Sequence, residues 1–311
     1  MKVLDENGLA VLKQYLLAEL PVIDPSKWTN NTIGSNNFSN IKVINNELIA
    51  VGRNGSIYTS TDGNKWTSHG SYTAHFNDVC YFKNYYILAS GNGVYYGTNL
   101  DNLIYKEIST WNMKVCCASD DIVIVGGSAG NLYYSTDGVN WTKATGTGSK
   151  TFNSCKFINN LFIAIAASGV LITSIDGINW TEATTGTTNN LTDVCYNGSK
   201  YVVVGQKIIL TSTDLINWET ITNSTIDNIG FYSVLYVDNK YIFACNSNKI
   251  YYCESFDNIY GKSMLHVCEN IVYFNNGLYA VGSSGYIATS KSTKKCTLQE
   301  VANYFMNKIN K

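Results

Sequence analysis

STDGNKW (Ser60–Trp66), STDGVNW (Ser135–Trp141), SIDGINW (Ser174–Trp180) and STDLINW (Ser212–Trp218) are four copies of one heptapeptide in a chain of 311 residues. Looser copies stand between and after them: TNLDNLIY (Thr98–Tyr105), ESFDNIY (Glu254–Tyr260) and SKSTKKC (Ser290–Cys296), the last with Ser292 for Asp and Cys296 for Trp. The aspartates Asp62, Asp101, Asp137, Asp176, Asp214 and Asp257 are spaced 39, 36, 39, 38 and 43 residues apart. That is the length of one four-stranded propeller blade. Within a unit, short apolar runs such as NDVCYFKN, YYILASGN and GVYYGTN are split by Gly or Asn turns, and no helical pattern alternates with them. The sequence therefore predicts an all-β, seven-bladed β-propeller with four-stranded blades over residues 23–296.

The heptapeptide has its own physics. The Asp carboxylate can accept backbone N–H groups two residues on, and the Gly after it is free to take positive φ, so the chain reverses tightly. The Trp that follows (Trp66, Trp141, Trp180, Trp218) then begins the outer strand and covers the blade edge. A fifth Trp keeps the same step far upstream, in DPSKWTN (Asp24–Asn30), where Asp24 and Trp28 match Asp62 and Trp66. Because the seventh unit lacks its own Asp and Trp, the segment around Trp28 is expected to supply its outer strand and close the ring.

Beyond the ring, Leu9, Leu12, Leu16 and Leu20 recur at helical spacing ahead of Pro21, and Thr297 with Glu300 makes a capping-box pattern before Val301, Tyr304, Phe305 and Ile309. Short helices are expected at each end: residues 1–22 as an attachment segment and 297–311 as a C-terminal helix.

Composition narrows function. With 22 basic and 23 acidic residues the formal net charge is −1, which supplies no field for nucleic acid or anionic lipid. Polar surface comes from Asn, Ser, Thr, Gly and 23 Tyr, a chemistry suited to sugars or proteins. The first 20 residues lack a signal-peptide pattern, and no apolar run is long enough to span a membrane. The nine Cys show no paired C-x-x-C spacing, so free thiols are expected, with Cys80, Cys116, Cys155 and Cys195 as a recurring packing slot. His69 and His75 share one loop without a neighbouring Cys pair and are read as loop histidines rather than metal ligands, and no metal or cofactor is expected. GGSAG (Gly126–Gly130) and TGTGSKT (Thr145–Thr151) lack the helix that a nucleophile elbow or a phosphate loop requires.

The heptapeptide resembles the Asp-box, or BNR repeat, of sialidases and related propellers, although here Gly follows Asp directly and the step to Trp is one residue shorter. The resemblance implies the propeller fold. It does not carry sialidase activity over, because that family grips its substrate carboxylate with three arginines and this chain has only Arg53. VLDENGLAVLKQYLLAEL at the N-terminus resembles the LDxNGL segment of tail-fibre and baseplate proteins of Gram-positive phages and phage-tail-like bacteriocins. That resemblance implies attachment to a particle made in the host cytoplasm, with neighbouring tail proteins as partners of the terminal helices. The expected function is a non-enzymatic, receptor-binding propeller that takes a cell-surface glycan or protein. Arg53, Tyr72, His75, Phe76, Trp111, Phe231 and Tyr232 are its candidate contacts, on the second-to-third-strand turns and interblade connections. A purely structural tail scaffold and an Asp-box glycoside hydrolase are the alternatives, the latter requiring two carboxylates across one pocket.

Overall fold

Seven four-stranded antiparallel sheets follow one another around a ring in the computed structural model, which describes residues 23–291. After β1 (Thr29–Thr32) come blade 1, β2–β5 over 38–68; blade 2, β6–β9 over 76–107; and blade 3, β10–β13 over 113–143. Blade 4 is β14–β17 over 152–183, blade 5 β18–β21 over 191–220, and blade 6 β22–β25 over 231–263. Blade 7 is β26 (Cys268–Phe274), β27 (Gly277–Gly282), β28 (Tyr286–Lys291) and, as its outer strand, β1. The first strand of each blade is innermost, and these seven strands pack side by side around the axis, β2 (Phe38–Ile44) touching both β6 (Phe76–Phe82) and β26.

The second strand of each blade is buried on both faces, which is why it reads as an unbroken apolar run such as LIAVG or YVVVG. Its side chains enter clusters shared with the next blade. Ile163 and Ile165 of blade 4, for example, pack with Leu191, Val194 and Val203 of blade 5. Five of the first hairpins turn on two consecutive residues with positive φ: Asn45-Asn46, Lys83-Asn84, Asn159-Asn160, Asp238-Asn239 and Asn275-Asn276. This is the twist-matched hairpin turn, and Asn tolerates the left-handed conformation it needs.

The heptapeptide turn joins the third strand to the outer one. Asp62 Oδ1 accepts the N–H groups of Asn64 and Lys65 at 2.7 and 2.9 Å, while Ser60 Oγ accepts from Gly63 N at 2.8 Å. Asp137, Asp176 and Asp214 repeat the arrangement, each also taking a side-chain N–H from the following Asn140, Asn179 or Asn217. Gly63 sits at φ 69°, and a Cβ there would lie 2.1 Å from the Tyr279 ring. Blade 5 places Leu215 at this position with φ 62°, its side chain filling the cluster that holds Ile163.

The register places the looser copies differently from their aspartates. Leu48 pairs with Ser60, Tyr86 with Gly97 and Tyr241 with Cys253, so Asn99 and Ser255 stand where Asp62 stands. Asn99 Oδ1 duly accepts the N–H groups of Asp101 and Asn102 at 3.0 Å each. Asp101 instead reaches blade 1, accepting from Gly70 N at 3.0 Å and pairing with His69 at 3.2 Å. Asp257 accepts from Ser255 Oγ at 2.7 Å.

Blade 7 is completed from the other end of the chain. Thr29 pairs with Thr289 as Thr67 pairs with Thr59, so Trp28 occupies the place of Trp66. Trp28 packs half-buried against the cluster of blades 6 and 7 and donates from Nε1 to Pro25 O at 2.7 Å. Asp24 Oδ1 accepts from Ser26 N at 3.0 Å, and Ser290 Oγ donates to Asp24 O at 2.7 Å. The turn of blade 7 is thus assembled from two segments more than 260 residues apart.

Two expectations are corrected. The fold class is all-β without helices: among the described residues there is no α-helix, only two three-residue 3-10 turns at Ser128–Gly130 and Ala167–Gly169. Among the described residues the ring closes through the pairing of β1 with β28, and the segments 1–22 and 297–311 to which helices were assigned lie outside the described residues. The thiols are not one slot and not all free. Cys116 and Cys155 pair across to Val125 and Ala164, whereas Cys80 and Cys195 stand one register position later, and the sulfurs of Cys117 and Cys155 are paired between blades 3 and 4. The other cysteines among the described residues are buried, and burial pushes the Cys195, Cys253 and Cys268 thiols up to about 12, so these thiols pack as neutral groups.

Candidate functional site

All seven inner strands begin in the same way. One buried residue (Phe38, Phe76, Met113, Phe152, Leu191, Phe231 or Cys268) pairs with the last residue of the second strand, the next residue is skipped, and pairing then resumes. Each skipped residue is a β-bulge, a device that re-aims one side chain out of the ladder. The seven bulge residues are Ser39, Asn77, Lys114, Asn153, Thr192, Tyr232 and Glu269. All of them line one cavity of about 480 Å³ at the end of the central channel. Because each inner strand starts there, this mouth shares its face with the interblade connections and the second-to-third-strand turns. The heptapeptide turns lie on the opposite face.

Four of the seven bulge side chains have a structural task. Asn77 Nδ2 donates to Met113 O at 2.7 Å, Asn153 Nδ2 to Leu191 O at 2.7 Å, and Thr192 Oγ1 to Phe231 O at 2.8 Å. Each bond ties one blade to the first residue of the next inner strand. Ser39 Oγ bonds His75 Nε2 at 3.0 Å. Lys114, Tyr232 and Glu269 make no side-chain hydrogen bond or ion pair among the described residues, and they sit on blades 3, 6 and 7. Partial burial raises the Glu269 carboxyl above the usual range, with Arg53 opposing, and raises the Tyr232 hydroxyl with help from the Glu269 charge.

Below the rim the channel wall is polar but internally neutralised. Asp78 pairs with Lys42 at 2.6 Å and also accepts from Asn40 Nδ2 and the N–H groups of Val79 and Cys116, each at 2.8 Å. Three blades further round, Asp193 pairs with Lys156 at 2.7 Å and accepts from Ser154 Oγ, Ser233 Oγ and Val234 N, each at 3.0 Å. Burial alone would lower the Lys42 pKa, but the charge of Asp78 holds it above the ordinary lysine value. Both carboxylates have their acceptor capacity filled by the fold, so neither is free to act as acid or base on a bound molecule. Among the described residues no group of three or more His, Cys, Asp or Glu is placed to hold a metal ion.

The structure separates the sequence candidates. Tyr232, 38% exposed, lines the cavity. Arg53, His75 and Trp111 are exposed on the same face outside it, Trp111 with half of its surface free. Phe76 and Phe231 are corrected to core residues: each is the buried partner just before a bulge, and both are under 2% exposed. Tyr72 is partly buried, packed edge-on against Phe76 and Tyr95 with its hydroxyl donating to Leu100 O at 2.9 Å. Sequence reasoning missed Lys114 and Glu269. Once the strand register has aligned the seven strand starts, FSN, FND, MKV, FNS, LTD, FYS and CEN, the middle position is the one that takes both signs of charge.

No family model matches the chain, and no curated protein matches it. Solved structures do. The chain is similar to YCF48 bound to D1 peptide, at 14% identity and TM-score 0.71, covering 89% of this chain and 99% of that one. It is also similar to virginiamycin B lyase from Staphylococcus aureus, at 8% identity and TM-score 0.73 over 85% and 99% of the two chains. The WD40 β-propeller domain of Doa1 matches at 11% identity and TM-score 0.70, over 88% and 98%. At these identities the likeness is one of fold alone.

Proposed function

We propose that this chain is a non-enzymatic recognition propeller that binds a cell-surface glycan or protein at the mouth of its central channel. The observation that carries the reading is the division of the bulge ring. Four side chains brace neighbouring blades, and three, Lys114, Tyr232 and Glu269, point into a polar cavity with no partner in the fold. Exposed aromatic faces at Tyr232 and Trp111 add stacking surfaces beside it. Against a glycoside hydrolase, the cavity offers one uncommitted carboxylate, Glu269, where acid and base need two. The likeness to a propeller solved with a peptide supports this use of the fold. The N-terminal segment supports deployment on a phage tail or phage-tail-like particle.

The test is saturable binding of the labelled protein to whole Gram-positive cells and their extracted wall glycans, with Tyr232→Ala and Trp111→Ala alongside. Binding weakened by either variant supports the reading. Absence of binding to every surface turns the assignment toward a structural tail component, for which exposed Ile175 and Ile216 on the opposite face offer a contact surface.

A further inference from the structure

We propose that the channel mouth takes a glycan unit carrying both an acidic group and a free amino group, the acid held by Lys114 and the amine by Glu269 with Tyr232. The inference rests on the recognition reading above and names the ligand's chemistry.

Position comes first. Lys114 stands on blade 3 and Glu269 on blade 7, three blade steps apart one way round and four the other, as nearly opposite as a seven-membered ring allows. Tyr232, on blade 6, is the immediate neighbour of Glu269, close enough for the carboxylate's charge to be felt at its hydroxyl. One rim therefore carries a cation on one side, and a carboxylate beside an aromatic ring on the other. A carboxylate next to an aromatic face suits an ammonium group, through ion pairing and cation–π attraction together. An ammonium opposite it suits a carboxylate or phosphate.

The interior strengthens the choice. Lys42 and Lys156 are matched by Asp78 and Asp193, so the wall adds no unbalanced charge and the rim residues decide which ligand charge is favoured. A purely anionic ligand spanning the mouth would face Glu269, and a purely cationic one would face Lys114. Arg53, near Glu269 but in no ion pair with it, stands outside the cavity. A zwitterionic unit satisfies both sides at once. Trp111, three residues before Lys114 on the connection that enters blade 3, offers a sugar face a flat apolar platform. The cavity volume fits one or two sugar-sized units rather than a protein surface.

The experiment titrates the full-length protein onto immobilised, acid-extracted wall polymer from Gram-positive cells. The polymer is used native and after acetylation, which converts its amines to amides. Lys114→Gln and Glu269→Gln are compared with wild type and with Lys65→Gln on the opposite face. We expect acetylation to weaken wild-type binding about tenfold, as loss of one charge-assisted bond implies. Each rim variant should lose a similar factor on native polymer, and Glu269→Gln should lose nothing further on acetylation. Thermal midpoints should stay at the wild-type value, since neither side chain has a partner in the fold. Wild-type binding that is indifferent to acetylation and to Glu269→Gln overturns the zwitterion assignment while leaving the recognition reading in place. Failure of the wild type to bind any wall polymer or whole cell overturns both.

Discussion

At Asp137 a single carboxylate takes two backbone N–H groups and one amide N–H, and those bonds hold its pKa well below the usual carboxylate range. Asp176 and Asp214 behave in the same way, and Asp62 is held at about 2 by the N–H groups of Lys65 and Asn64. These are depressed folded-state values, so the stability they contribute is complete above the unfolded aspartate pKa of about 3.9 and drains as pH falls toward 2. Thermal unfolding from pH 6 to pH 2 should show a midpoint that is flat down to about pH 4 and then falls. In Asp137→Asn the fall should be shallower, because the amide oxygen still accepts the two backbone N–H groups without titrating, although the bond from Asn140 Nδ2 is lost. Blade 2 already uses this solution at Asn99. Asp137→Ala, which removes the acceptor altogether, should lower the midpoint at neutral pH by roughly 2–4 °C. Equal pH profiles for wild type and Asp137→Asn would remove the carboxylates from the account of acid stability. The four strong turn copies were legible because Asp and Trp, with Gly in three of the four, each have one physical reason to be there. Asp101 and Asp257 were misread as turn acceptors because the strand register, which sequence spacing does not resolve to two residues, puts Asn99 and Ser255 in the slot.

The element that most distinguishes this ring is the borrowed strand β1, whose register with β28 sets Trp28 in the place of Trp66. Four pairs join the two ends of the chain, and Ile23 adds a fully buried side chain to the same cluster. Removing residues 1–32 should expose the edge of β28, lower the thermal midpoint by roughly 10 °C and promote association through that edge. Trp28→Ala alone should cost about 3 kcal/mol in denaturant unfolding. A truncated protein that melts with the wild type would mean the pairing contributes little. The borrowed strand was readable from DPSKWTN because the Asp-to-Trp step is preserved. The bulges, by contrast, were invisible. A bulge is a matter of which residue is skipped when two strands pair, and nothing in FND or MKV marks the middle residue as unpaired until the second strands Tyr85–Ser90 and Val123–Gly127 are laid beside them.

Across the whole molecule, seven-fold repetition turns that local irregularity into a ring of seven side chains, and the ring is where repetition stops being only structural. The Lys42–Asp78 and Lys156–Asp193 pairs beneath it join blade 1 to blade 2 and blade 4 to blade 5. Asp78→Asn should destabilise the fold by about 2 kcal/mol, since it strips the countercharge from a lysine held against the channel wall, whereas Lys114→Gln on the rim should not. Candidates chosen from loop position alone mixed rim with core, as Phe76 and Phe231 show, because adjacent residues across a bulge point in opposite senses. The central claim is that the bulge-ring mouth is the binding face. Hydrogen–deuterium exchange of the intact protein, with and without saturating Gram-positive wall polymer, tests it most directly. The account predicts slowed exchange at residues 53–56, 110–115, 231–233 and 268–270 with none at the heptapeptide turns. Protection confined to the turns at 61–66, 136–141 and 175–180 would place the ligand on the other face and contradict it.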